Sequence, residues 1–201
     1  RNAALCNRTL HSVAALTSLR AGPFRGMSMS VPSMTLYYNA ASPFARKVLI
    51  LLHETGQTGR VDLKPVTVTP VNPDAEVCHD NPCGKIPALC LADDNVIHDS
   101  RVILDYLDHQ HVGNPLIPRE GSARWRRLTL ASLADAVLDA AVLIRYETFL
   151  RPEEKRWDEW VDNQSEKIFR SLAYFETEAV TELSAHFDIA SISLASALGY
   201  L

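Results

Sequence analysis

The sequence predicts two architectures in one chain of 201 residues: an α/β domain over residues 34–110 and an all-helical domain over residues 121–201. Three observations carry this. Up to residue 110, strand-forming segments alternate with segments of helical period. Gly113, Pro115 and Pro118 then interrupt all periodicity, marking a linker over residues 111–120. Beyond it, apolar residues recur only at three- and four-residue spacing. The length is enough to bury a real core.

The elements follow in order. Thr35-Leu36-Tyr37-Tyr38 is strand-forming and runs into the loop Asn39-Ala40-Ala41. A helix then opens, with Ser42 as a preferred N-cap residue and Pro43 at the first helical position. Phe44, Val48, Leu51, Leu52 and Thr55 mark one buried face of it, and Gly56 ends it. Residues 61–66 alternate as a strand, with Pro65 near an edge. Asn72-Pro73-Asp74 reads as a turn or helix start. Residues 88–91 and 95–98 bracket Ala92-Asp93-Asp94 as a hairpin. Val102, Ile103, Tyr106 and Leu107 mark a further helix, opened by Asp99 or Ser100. In the helical domain Trp125, Leu128, Leu133, Val137, Ala141 and Ile144 form one stripe, stopped by Pro152. Trp157, Val161, Gln164, Ile168, Leu172 and Phe175 form a second. Asp188 caps a last, mostly apolar helix, with Phe187 and Ile192 at hydrophobic-staple spacing. That helix runs to Leu201 without a C-cap, so a fragment lacking its C-terminal end is expected. The order strand, helix, strand, helix, hairpin, helix is that of a thioredoxin-like domain by fold-level analogy; pattern alone leaves several α/β topologies open.

Composition narrows the function. Apolar residues make up 47% and charged residues 22%, the mix of an ordinary globular protein. A net charge of −4 argues against nucleic acid as the main partner. Residues 1–33 hold Arg1, Arg8, Arg20 and Arg25 and no acid, which leaves −8 on the remainder. This acid-free segment, rich in Ser, Ala and Arg, is expected to be a disordered leader or non-native extension, with an organellar targeting segment as the alternative. Met34 reads as a natural start. No apolar run reaches the roughly 18–20 residues of a membrane span. Four irregularly spaced cysteines suit a reducing cytosol, and a cytoplasmic location is expected. Cys78-His79 with Cys83 lacks the second ligand cluster of a zinc site, so no metal is expected.

Three stretches carry chemistry: Ser42-Pro43-Phe44-Ala45-Arg46-Lys47-Val48, Asn81-Pro82-Cys83-Gly84-Lys85-Ile86-Pro87-Ala88-Leu89 and Ile97-His98-Asp99-Ser100. Ser42 sits where unpaired N–H groups and a partial positive charge favour an anion. A thiolate held there with a pKa about two units below 8.5 is preferred by about 2.7 kcal/mol. The ordinary alternative is a plain helix cap, and one hydroxyl can fill both roles. A cis bond before Pro87 turns the Ile86 backbone outward to pair with an extended peptide. Lys85 offers a cation to a carboxylate, or is a solvated loop charge. Ser100 presents a hydroxyl and N–H to a carboxylate, and Asp99 pairs with an ammonium, unless both only cap.

Together these stretches resemble the cytosolic glutathione S-transferase family over residues 34–201, and most resemble a bacterial subgroup with a YibF-like N-terminal domain. That subgroup shares Ser-Pro-Phe-x-Arg-Lys, Asn-Pro-x-Gly-Lys-[Val/Ile]-Pro and an Asp-Ser where Glu-Ser is commoner. Residues 188–195 resemble the family's buried C-terminal helix motif, and Arg145, Glu147 and Arg151-Pro152 match the subgroup's pattern. The resemblance implies glutathione bound by Ser42, Phe44, Lys85, Ile86, Pro87, Asp99 and Ser100. It implies Ser42 as the catalytic residue, with Asn39 as the alternative, and glutathione as co-substrate with no other cofactor. A hydrophobic electrophile would sit between the domains, near Arg145, or Arg145 is a surface charge. Conjugation in a detoxifying homodimer is the expected function. A glutathione-dependent thiol oxidoreductase or peroxidase, and a non-catalytic binding or regulatory module, are the alternatives. A serine at position 42, where thiol-exchanging relatives have cysteine, argues against a mixed disulfide. Cys83 is expected to be packing or incidental.

Overall fold

The computed structural model describes residues 34–201; the leader expected over residues 1–33 lies outside the described residues. Four strands, β1 (Met34–Tyr38), β2 (Val61–Pro65), β3 (Ala88–Cys90) and β4 (Val96–His98), form one sheet in the order β2-β1-β3-β4. β1 and β2 are parallel, joined by the crossover helix α1 (Pro43–Glu54), while β1–β3 and β3–β4 are antiparallel. This is the thioredoxin-like topology. β2 is an edge strand, which tolerates the missing N–H of Pro65.

Alternation along β1 assigns its two faces. Leu36 and Leu89 pack with Val48, Leu51 and Leu52 of α1 and with Ile103 and Leu107 of α3 (Ser100–Asp108). Tyr37 and Ala88 pack on the other face with Val77 of α2 (Ala75–Asp80), whose N-cap is Asp74. Two expected positions differ. Val102 points outward, because the inner face of α3 is carried by Ile103, Leu104 and Leu107. Phe44 leaves its own domain's core and packs against the helical domain.

The linker is stitched down. Asp108, fully buried, accepts from the N–H groups of Leu116 (2.8 Å) and Ile117 (3.2 Å) and from Arg119 Nη1 (2.9 Å). The helical region comprises α4 (Gly121–Phe149), α5 (Asp158–Tyr174), α6 (Val180–Ala185) and α7 (Ile189–Leu198). A π-helical stretch, Phe175–Ala179, turns α5 into α6. Ala131 of α4 and Ile189 and Ile192 of α7 join the same apolar cluster as α1 and α3, so the domains share a core.

The predicted stripes hold except at their first residues: Val137, Ala141, Gln164, Ile168 and Phe175 are buried, but Trp125 and Trp157 are mostly exposed. Among its apolar residues the buried face of α4 also carries Arg127, Asp135 and Glu147, each answered by an opposite charge. Asp188 caps α7 by accepting from Ala190 N–H (2.9 Å), while Phe187 stays exposed beside it. α7 ends at Leu198 with Gly199 at its C-cap, rather than running to Leu201, and Arg46 Nη1 of α1 donates to Gly199 O (2.9 Å). Among the described residues no helix is long and apolar enough to cross a membrane.

Candidate functional site

The strand register builds the site. Tyr37, Ala88 and His98 are partners in one row across β1, β3 and β4. The chain beyond that row therefore leaves the sheet at one end, at neighbouring positions about 5 Å apart. Asn39–Ser42 follow β1, Ile86-Pro87 precede β3, and Asp99-Ser100 follow β4. The turn after β2 rises at the same end, held by Asn39 Nδ2 donating to Val66 O (2.9 Å).

At the first of these turns Ser42 caps α1 as expected. Its Oγ accepts from Ala45 N–H (3.2 Å), and its own N–H donates to Asn39 O (2.9 Å). The hydroxyl hydrogen is thus spare, and the residue is half-buried at the positive end of a 12-residue helix. Asn39 is occupied otherwise: its Oδ1 accepts from Ala41 N–H (2.9 Å) and its amide holds the β2 turn.

The second turn is pinned by Asn81, whose amide donates to Lys85 O (2.8 Å). The Ile86–Pro87 bond is cis. Among the described residues neither the N–H nor the C=O of Ile86 has a hydrogen-bond partner. Lys85 is exposed, and Pro87 is buried at the start of β3. Gly84 has φ +60° and lies where a Cβ would meet Cys78 Sγ at 3.0 Å, so a side chain there would be strained and would crowd that sulfur.

At the third turn Asp99 adopts φ 67° and ψ 125°, a strained conformation for any residue with a Cβ. Its carboxylate caps α3 by accepting from Arg101 N–H (2.9 Å) and is about half exposed. Ser100 is buried at the first helical position.

Sequence reasoning missed the support behind this turn. Arg101 Nε lies 3.4 Å from Asp99 and 3.4 Å from Asp135 of α4. Asp135 is also paired with Lys47 of α1, and both are almost wholly buried. Burial pushes the Lys47 ammonium down and the Asp135 carboxyl up, and their mutual attraction opposes both shifts. The available signal was Asp135 flanked by Ala134 and Ala136 in the apolar α4 pattern.

Behind the sheet, burial raises the Tyr37 hydroxyl far above its ordinary value, helped by its bond to Asp80 (2.7 Å). Burial likewise pushes the Cys90 thiol up to about 11. Among the described residues no group of three His, Cys, Asp or Glu side chains has metal-binding geometry.

A second feature is a cavity of about 600 Å³ at the end of α4. One wall is Pro70 and Val71, in a turn closed by two backbone bonds between Thr69 and Asn72 (3.1 Å each). The opposite wall comes from the α4–α5 connection. There buried Glu147 accepts from Arg151 Nε (2.7 Å) and from Trp157 N–H (3.1 Å), fixing where Trp157 and Trp160 stand. Arg145 does not line this cavity. It is exposed, its guanidinium stacked 3.7 Å from the centre of the Phe149 ring.

Residues 36–115 match the family of glutathione S-transferase N-terminal domains. Over 170 residues, 84% of this chain and 82% of the relative, the sequence is 33% identical to the uncharacterized GST-like protein YibF of Escherichia coli strain K12. A glutathione transferase family member from Pseudomonas fluorescens Pf-5, solved with bound glutathione, superposes with a TM-score of 0.83 at 64% identity, covering 84% of this chain and 82% of that one. A glutathione S-transferase from Methylobacillus flagellatus KT, solved with glutathione bound, superposes with a TM-score of 0.72 at 36% identity, over 84% and 83% of the two chains.

Proposed function

From the premise that this chain belongs to the glutathione S-transferase family, we propose that it binds glutathione at the sheet end and transfers its thiolate to an electrophilic small molecule. The observation that carries the reading is the shared row of Tyr37, Ala88 and His98, from which all three peptide-binding turns rise together. The 64%-identical relative holding glutathione supports the same ligand.

In this reading the Ile86 N–H and C=O pair with the backbone of the peptide's middle. Asp99 receives the ammonium, Ser100 the adjoining carboxylate, and Lys85 the other carboxylate. Pro87 and Phe44 shape the floor of the groove. Ser42 donates its free hydrogen to the sulfur, while the α1 N-terminus stabilises the negative charge. The thiol proton passes to water. A sulfur lone pair then forms the carbon–sulfur bond, and the leaving group departs with the electrons of the bond it breaks. Ser42 is the catalytic residue, acting on the reacting atom without becoming covalently attached.

The reading extends to a cytoplasmic, detoxifying homodimer. The exposed apolar side chains of Val102, Trp125 and Phe169 support self-association. A solution mass of one chain by light scattering counts against it.

The test is calorimetric titration of the full chain with glutathione, followed by a chloronitrobenzene conjugation assay. Uptake with turnover is expected. Uptake without turnover contradicts the transferase reading and leaves a binding module, and disulfide reduction without conjugation replaces it with an oxidoreductase.

A further inference from the structure

A separate cavity of about 410 Å³ lies between α3 and α4, with residues of α1, α7 and the linker completing its lining. It shares no lining residue with the 600 Å³ cavity or with the residues assigned to glutathione. Its volume lies in the range of small-molecule sites.

The walls are aliphatic: Val102, Leu104, Ile117, Leu128, Ala131 and Ile189, with no aromatic side chain among the lining residues. The floor is polar. Lys47, Asp135 and Ser193 line it and are 0%, 2% and 1% exposed. Ser193 Oγ has no hydrogen-bond partner among the described residues. Thr129, Ser165, Ser171 and Ser184 also sit in helices, and each donates to the carbonyl four residues back. Ser193 makes no such bond, so its hydroxyl is free for another partner. Asp135 Oδ2 likewise accepts no hydrogen bond, having only an ionic contact with Arg101 Nε at 3.4 Å. Lys47 directs one N–H to Asp135 Oδ1, and among the described residues its ammonium has no other hydrogen-bond partner. Unpaired buried polar groups are costly, and three side chains with spare capacity beside one cavity call for an occupant that forms hydrogen bonds.

Charge sets the class of that occupant. The ionic side chains of the lining already answer one another: Lys47 with Asp135, Arg124 with Asp105 (3.1 Å), and Arg101 with Asp135 and with Asp99 outside the cavity. An ammonium would lie against buried Lys47, and a carboxylate against buried Asp135. A hydroxyl avoids both conflicts, because it donates to Asp135 Oδ2 and accepts from Ser193 or Lys47.

We propose that this cavity is a binding site for an uncharged aliphatic alcohol, its hydrocarbon body against Val102, Leu128 and Ile189 and its hydroxyl on the Asp135–Ser193 floor. The assignment rests on no reading of the reaction, so it stands or falls apart from the transferase activity.

The test is calorimetric titration of the full chain with menthol and three close analogues. Menthane lacks the hydroxyl and is read by its competition with menthol. Menthylamine carries an ammonium, and menthane carboxylate carries an anion. Menthol should bind about tenfold more tightly than each of the others. Ser193→Ala should erase most of that advantage and leave the fold at least as stable, since the hydroxyl it removes has no partner. Ser132→Trp, at an exposed α4 position of the lining, should block all four probes.

Equal affinity for menthol and menthane overturns the hydroxyl assignment, and tighter binding of either ion overturns the uncharged class. Menthol binding that survives both variants overturns the site. Absence of uptake leaves the cavity to water and overturns the proposal as a whole. So does an affinity that falls as the protein is concentrated, which would mean that a second copy covers the cavity at exposed Val102.

Discussion

Ser42, Asp74 and Asp99 each hold a helix start in the α/β domain through bonds to N–H groups two or three residues away. In the helical domain, by contrast, Asp135 reaches a partner 88 residues distant, and Glu147 fixes a turn 10 residues on. The first domain sets its functional side chains by local backbone rules. The second sets them by buried ion pairs that exist only once the chain has folded. Local placement resists distant mutation, whereas long-range placement fails when either partner is lost.

The largest effect should come from the pair that joins the two modes. Asp135→Ala leaves the Lys47 ammonium buried without its carboxylate and should cost about 3–5 kcal/mol of stability, read from urea unfolding, while Lys47→Ala, which leaves Asp135 with Arg101, should cost less. The double variant Lys47→Met with Asp135→Leu should recover most of that loss. Single variants within about 1 kcal/mol of wild type remove the contrast between the domains.

Next comes the Ser42 hydroxyl, to which the proposed function gives the catalytic role. Ser42→Ala should lower turnover roughly hundredfold while costing only about 1 kcal/mol of stability as a lost cap. Ser42→Thr should retain most of both. Undiminished turnover in Ser42→Ala shifts the role to Asn39 or to the α1 backbone.

Asp99→Gly sharpens the comparison because its two effects have different signs. Relief of the φ of 67° should leave stability unchanged or raise it by about 1 kcal/mol. Loss of the carboxylate should weaken glutathione binding roughly tenfold, measured by calorimetry. A large loss of stability would mean that the cap outweighs the strain.

The smallest effect concerns Cys90. Its raised pKa of about 11 keeps the thiol protonated at neutral pH, so the thiolate that alkylates is scarce until the pH climbs towards that value. Mass-mapped alkylation near neutral pH should label exposed Cys78 and Cys83 well before Cys90. Equal rates contradict the burial argument.

The same division explains what the sequence revealed. Ser42-Pro43 as a helix start, Pro65 at an edge and the hairpin turn were legible because each is decided within a few residues. Their assembly at one sheet end needs only the strand register. The exposure of Trp125 and Trp157 was not legible, because spacing alone cannot tell a buried stripe from its neighbour. The burial of Asp135 and Arg127 was not legible either, because it depends on partners far along the chain, Lys47 of α1 and Asp188 before α7. The cavity was hidden for the same reason, being walled by a turn at residue 70 and a helix connection near residue 157.

The central claim is that the start of α1 and Ser42 together hold glutathione as its thiolate. The direct measurement is the thiol pKa of bound glutathione, followed by thiolate absorbance across a pH series in wild type and in Ser42→Ala. A value about two units below the free thiol's 8.5 is predicted for wild type, rising towards the free value in the variant. A bound thiol that titrates at the free value in wild type contradicts the account.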